Sequence, residues 1–274
     1  MTGSNSRFIP DGFKEQMYYT NFFRLLFRVD MPEHVMPLWE SVVPNVYSPS
    51  DYIMEEFIEF LATWKISEYY VRLWSDLLML GLIDNRPNHR RILERYFTLI
   101  NQQEQENLSE EQTKQYANIA RQVLKRFPLQ PEEQEEQVPS TKTDGEQQSS
   151  KMLVKQPFQY TGSLLSNLIG LLTRADDFES SWSLYEYARS NKNILIQPLT
   201  ESSLMALLSS AVQGNHIDRA LSVIETIKEL NYECLSDSLD LLNRNIHLDH
   251  QDRQRLRTIQ NSSSLRSAQD VKLV

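Results

Sequence analysis

A chain of 274 residues with 37 acidic and 28 basic side chains carries a net charge of −9, which repels phosphate at long range, so any contact with nucleic acid has to be local. The 7 glycines are few for the tight turns and phosphate loops of α/β enzymes, and the lone cysteine, Cys234, excludes an internal disulfide and a multi-cysteine zinc site. No stretch approaches the roughly 20 apolar residues that cross a bilayer, because runs such as 22–29 are broken by arginine.

Residues 1–11 show neither the apolar core of a secretion signal nor the Arg-rich amphipathic pattern of a transit peptide. Apolar repeat signal begins at Tyr18 with no polar capping helix before it, as expected for a piece of a longer array. Shifting the sequence by 35 residues then superimposes two segments: Phe22 on Phe57, Leu25 on Phe60, Leu26 on Leu61, Glu33 on Glu68, Leu38 on Leu73, Trp39 on Trp74 and Val42 on Leu77. These residues recur at three- and four-residue spacing, which puts each set on one helical face and predicts two helices per repeat.

The first pair is predicted over 17–27 and 33–43, with Pro32 opening the second helix and Pro44 ending it. The next pair covers 52–64 and 67–80, with Ser67 as N-cap and Gly81 as the stop. A third pair covers 88–101 and 109–127, where Ser109 and Gln112 form a capping-box signature. From 128 to 157 the composition collapses into Glu, Gln, Pro, Ser and Thr, with too little apolar surface to offset chain entropy, and this predicts a disordered acidic linker. Helical periodicity returns at Tyr160, where two more repeats align at a spacing of 39, Leu165 on Leu204 and Phe178 on Ile217 among them. A short polar helix over 249–260 is expected to cap the stack. The expected organisation is therefore all-α, a solenoid of helical hairpins with an array over 12–127, the linker 128–157, a second array over 158–262 and a disordered tail over 263–274.

Two antiparallel helices in about 35 residues fit tetratricopeptide or pentatricopeptide modules. Gly214, Asp218, Ala220, Leu221 and the Ile227-Lys228 pair follow the pentatricopeptide pattern, and the tetratricopeptide Trp and Tyr positions are absent. YTNFFRLLFRVDMPEHVMPLWESVVPNVYSPS, YYVRLWSDLLMLG, ESSWSLYEYARSNKNI and DRALSVIETIKELN resemble, in order and spacing, the C-terminal region of the mitochondrial pentatricopeptide repeat domain-containing protein 3 family. The resemblance implies a scaffold of the small mitoribosomal subunit in the mitochondrial matrix that supports translation. It implies ribosomal proteins and rRNA as partners, with mRNA as a further contact, and neither cofactor nor small-molecule substrate. A free organellar RNA-binding factor and a protein–protein adaptor are the alternatives.

RNA-reading pentatricopeptide repeats place a small polar side chain about ten residues before the inter-helix turn. Here that count returns Leu204, Leu165 and Glu55, and only Thr20 suits. Single-base reading therefore lacks a source, although phosphate contact does not. The dense basic patch Arg86, His89, Arg90, Arg91 and Arg95 supplies the candidate RNA contacts Arg86, Arg90, Arg91 and Arg95, with Arg91 and Arg95 one turn apart. A solvated helix start with Glu94 as ion-pair partner explains the same residues equally well. Arg253, Arg255 and Arg257 form a weaker basic run, Glu55 and Glu59 share a face as an acidic pair, and His247, Asp249 and His250 lack a third ligand for a metal. No nucleophile motif or phosphate loop is present, so no enzyme is expected.

Overall fold

Helix ends in this chain follow from its capping residues, and the computed structural model describes them over 11–29, 31–102, 108–129, 158–246 and 248–259. The helices are α1 (Asp11–Arg28), α2 (Pro32–Val42), α3 (Asp51–Thr63), α4 (Tyr70–Met79), α5 (Pro87–Asn101), α6 (Glu110–Arg126), α7 (Gly162–Arg174), α8 (Phe178–Ser190), α9 (Glu201–Gln213), α10 (Ile217–Glu229) and α11 (Leu235–Asn245). A further helix, α12, covers 250–259, and no strand occurs among the described residues. Thr161, Asp177 and Thr200 each accept a hydrogen bond from the backbone N–H three residues on, which starts α7, α8 and α9. Ser109 and Gln112 complete the predicted reciprocal capping box at α6.

The turns are equally uniform. Lys65, Gly81, Asp176, Asn215 and Asn231 all have positive φ just beyond a helix end. The N–H that follows each of them reaches back five residues, Ile66 to Leu61, Leu82 to Leu77, Asp177 to Leu172, His216 to Ala211 and Tyr232 to Ile227. This left-handed closure satisfies carbonyls that a helix otherwise leaves open, and it reverses the chain within a few residues.

The first helices of successive hairpins, α1, α3, α5, α7, α9 and α11, pack on one another in series, and α2, α8 and α10 back α1, α7 and α9. The molecule is thus an α-solenoid of helical hairpins. One buried cluster runs through it from Phe23 to Ile259. It crosses the interval between α6 and α7, because α7 packs on both α5 and α6. Asn167 donates to Thr98 Oγ1 at 2.9 Å and accepts from Asn101 at 3.1 Å, while Arg121 pairs with Asp177 at 2.6 Å. The expected linker falls outside the described residues from 130 to 157, as does the expected tail 263–274. Gly162 is required where the next loop crosses α7, since a Cβ there would lie 1.9 Å from the carbonyl oxygen of Gln197.

Several expectations change. The first helix begins at Asp11, and Ser67 does not cap α4, because a 3-10 turn over Ser67–Tyr69 intervenes and α4 starts at Tyr70. Helix α11 is an addition to the predicted elements. Phe22 and Leu25, aligned with the buried Phe57 and Phe60, are exposed, and Phe23 fills the core in their place.

Within α4, Asp76 is buried and accepts a hydrogen bond from Tyr69 Oη at 2.5 Å. Burial raises its pKa above the ordinary carboxylate range, and the Tyr69 hydrogen bond only partly opposes that. A raised carboxylate pKa means that the folded state binds the proton more tightly, so this group weakens stability as pH rises through its window. Asp76→Asn is therefore expected to match the wild type near pH 4 and to gain on it as the pH rises to 7. Thermal midpoints of the two proteins at both pH values check this; a difference that stays flat contradicts it.

Candidate nucleic-acid interface

Arg86, Arg90, Arg91 and Arg95 follow one another along the start of α5, where Pro87 opens the helix and His89, Ile92 and Leu93 turn into the core. The arginines therefore fall on the face that meets α3 and on the adjoining edge. Arg91 and Arg95 line a groove of about 370 Å3 between α3 and α5 with Ile58, Glu59, Ala62 and Leu99. One repeat earlier Arg24, Phe27, Glu56, Phe60 and Trp64 line an equivalent groove of about 210 Å3 between α1 and α3. The 35-residue shift maps Glu56 onto Arg91 and Arg24 onto Glu59, so the two grooves carry opposite charges at matching positions.

Cross-helix ion pairs govern this surface. Arg91 Nε donates to both carboxylate oxygens of Glu55 at 2.9 Å, and Arg95 binds Glu59 directly and approaches Glu55 at 3.6 Å. Glu55 is buried, and its carboxylate holds the Arg91 guanidinium above its ordinary pKa. The partners come from α3, not from Glu94 on the same helix as sequence spacing suggested. Arg90 reaches across to Gln159 at 3.0 Å, and Arg86, with a side chain 72% exposed, lies 3.3 Å from Asp84. The four arginines are thus brought onto one stretch of surface, with Arg91 and Arg95 already neutralised and Arg86 the most accessible.

The positions that would read a base are occupied otherwise. Leu165 and Leu204 are fully buried, Glu55 holds Arg91, and Thr20 hydrogen-bonds Tyr47 at 2.8 Å. The acidic pair Glu55 and Glu59 is engaged by Arg91 and Arg95. Asp249 accepts from the N–H of Asp252 at 2.8 Å as an N-cap, whereas His247 lies outside the described residues. Arg255 is bound by Asp218 and Glu225. No group of three or more metal-ligating side chains occurs among the described residues, and no helix there is long and apolar enough to cross a membrane.

Sequence reasoning missed a polar cluster at the α5–α7 seam, where Arg174 donates to Gly170 O at 3.1 Å and also binds Asn101, beside Asn167 and Thr98. Asn167 and Arg174 on the otherwise largely apolar α7 were the available signal. They tie the two halves of the stack together.

No family model matches the chain. It is 26% identical to the small ribosomal subunit protein mS39 of Drosophila melanogaster over 246 residues, which is 85% of this chain and 32% of that protein. It is 22% identical to the protein of the same name from Danio rerio over 242 residues, 88% of this chain and 31% of the relative. The chain thus spans about a third of the length of the curated relatives it matches. Similarity to proteins named small ribosomal subunit protein mS39 thus extends over most of this sequence.

Proposed function

We propose that this chain is a helical-repeat scaffold segment of the small mitochondrial ribosomal subunit, resident in the matrix, where it supports translation through contacts with ribosomal proteins and rRNA. The observation that carries the reading is similarity to mS39 from two animals over 85% and 88% of the chain. The solenoid supports it, since stacked hairpins offer a long surface with each side chain held by its neighbours. Arg86, Arg90, Arg91 and Arg95 are the proposed RNA contacts, made to phosphate without base preference and chiefly through Arg86 and Arg90 while Glu55 and Glu59 hold the other two, and mRNA is a further candidate at the same surface. A free transcript-binding factor fits less well, because the net charge of −9 opposes capture of RNA from solution and the base-reading positions are filled.

The test is sedimentation of the endogenous protein through a sucrose gradient before and after nuclease treatment. The protein is expected to travel with the small subunit and to leave that fraction once rRNA is digested. A protein found only in light fractions, bound to one short RNA motif at physiological salt, would sink the scaffold reading.

A further inference from the structure

Residues 191–200 join α8 to α9, a connection twice as long as the one over 230–234 between α10 and α11. The longer connection carries Ile194 and Ile196 on either side of Leu195, and these two isoleucines are 74% and 86% exposed. Beside them a groove of about 270 Å3 lies between α8 and α10, with Ala188, Leu195, Pro198, Leu199 and Leu230 in its lining. That volume falls below the usual range of small-molecule sites, about 300–1,000 Å3, and suits the anchoring side chains of a protein partner. The two rims of the groove carry opposite charges. Arg189 and Lys192 belong to α8, Glu225 and Glu229 to α10, and the pairs between them are long, 3.7 Å from Arg189 to Glu225 and 3.4 Å from Lys192 to Glu229. Exposed pairs of this kind are worth little, so they yield readily to better placed partners. With each cation facing a carboxylate, the groove has no net attraction for phosphate.

We propose that this groove and the ridge made by Ile194 and Ile196 form a docking site for an amphipathic helix of another polypeptide, one whose apolar stripe is flanked by carboxylates on the side facing α8 and by Lys or Arg on the side facing α10. The charges argue for this occupant, because only a helix with oppositely charged flanks complements both rims at once. The walls argue for a helix. Helices α8 and α10 have already paired their backbone groups, so an extended occupant would find no backbone partners along them, whereas a helix brings its own hydrogen bonds satisfied. The opposed rims also fix the direction in which the helix lies, since turning it end for end exchanges its flanks. The proposal rests on the scaffold reading only for the compartment in which the partner is met.

Photoreactive benzoylphenylalanine placed at Ile196, in the protein expressed from its own gene, reports the occupant. The expected product is a crosslink to one segment of another protein whose apolar residues recur at three- and four-residue spacing between an acidic and a basic flank. Crosslinks only to rRNA, to a second copy of the chain, to another part of the same polypeptide or to a segment with like-charged flanks overturn the proposal, and so does the absence of any crosslink. Two variants then test the ridge and the rims. Ile194→Asp, and separately the exchange Lys192→Glu with Glu229→Lys, which keeps an ion pair while reversing the rims, are each expected to lower the crosslink yield by about tenfold. Neither is expected to move the thermal midpoint of the purified chain, because all three side chains are more than half exposed. A yield that survives the exchange overturns the assignment of the flanks, and with it the proposal. Sedimentation separates the two readings: a crosslinked helix from a protein outside the small subunit supports the docking site and counts against the scaffold, whereas a missing crosslink in a chain that still travels with the small subunit counts against the docking site alone.

Discussion

Trp39→Ala is expected to destabilise the folded chain by about 3–5 kcal/mol, read from urea denaturation. Trp39 is completely buried, stacks on Phe57 at 3.8 Å and meets Phe23 edge-on at 4.9 Å, so truncation opens a cavity whose walls belong to three different helices. Trp74, the equivalent residue one repeat on, stacks on Tyr96 at 5.7 Å, and Trp74→Ala is expected to fall in the same range. Replacement by Phe separates the two sites. Trp74 Nε1 donates to Gln122 at 2.8 Å, whereas Trp39 Nε1 is buried without a hydrogen-bond partner. Trp39→Phe removes an unsatisfied donor and is expected to cost less than Trp74→Phe, which strands the Gln122 acceptor, by about 1 kcal/mol. Equal costs at the two sites would contradict this account, and an unchanged melting curve for either Ala variant would contradict the repeat register itself.

The two tryptophans show what a 35-residue self-comparison detects. Their side chains pack between repeats, so the same interface demands the same residue type each time. Capping was legible for a related reason: Ser109 and Gln112 act through local backbone geometry, which spacing alone encodes. Phe22 and Leu25 illustrate the converse. Periodicity identifies an apolar stripe but not whether a neighbour covers it, and that depends on the position of a hairpin in the stack. Helix α11 escaped notice because its sequence LSDSLDLLNRN is largely polar and commits few side chains, Leu242 and Ser238 among them, to the core. The basic patch was visible as a run of arginines, but its neutralisation was not. Glu55 and Glu59 lie 36 residues from the arginines they bind, and only the stacking of α5 on α3 brings them together.

That pairing sets the second expectation, which concerns RNA affinity. Each phosphate contact to a single strand is worth roughly a factor of four at 0.15 M salt, from a slope of about −0.7 per contact in log affinity against log salt concentration. Arg91 and Arg95 contribute little of this while Glu55 and Glu59 hold them. The double variant Glu55→Gln, Glu59→Gln keeps hydrogen-bonding oxygens near the arginines and removes two negative charges. It is expected to bind single-stranded RNA about fifteenfold more tightly than the wild type, with a salt slope steeper by about 1.4. Arg91→Ala with Arg95→Ala in the wild-type background is expected to change affinity by less than about twofold, whereas in the Gln background it removes the whole gain. Titrations against homopolymers of different base composition should shift alike, because the side chains at the base-reading positions remain buried or bonded. A gain confined to one sequence, or no gain, would count against phosphate contact at this surface.

The residues on either side of the interval from 130 to 157 touch each other: the Phe127 and Phe158 rings stack at 4.1 Å, and Tyr160 donates its hydroxyl to the Phe127 carbonyl. Residues 127 and 158 therefore lie side by side at one place in the stack. For a loop whose ends are already clamped, each doubling of length adds only about 0.6 kcal/mol of closure entropy. A tag inserted between Phe127 and Phe158 is expected to leave the melting curve of the helices on either side nearly unchanged. The same position offers a cut between two fragments that reassemble through the α5–α7 seam.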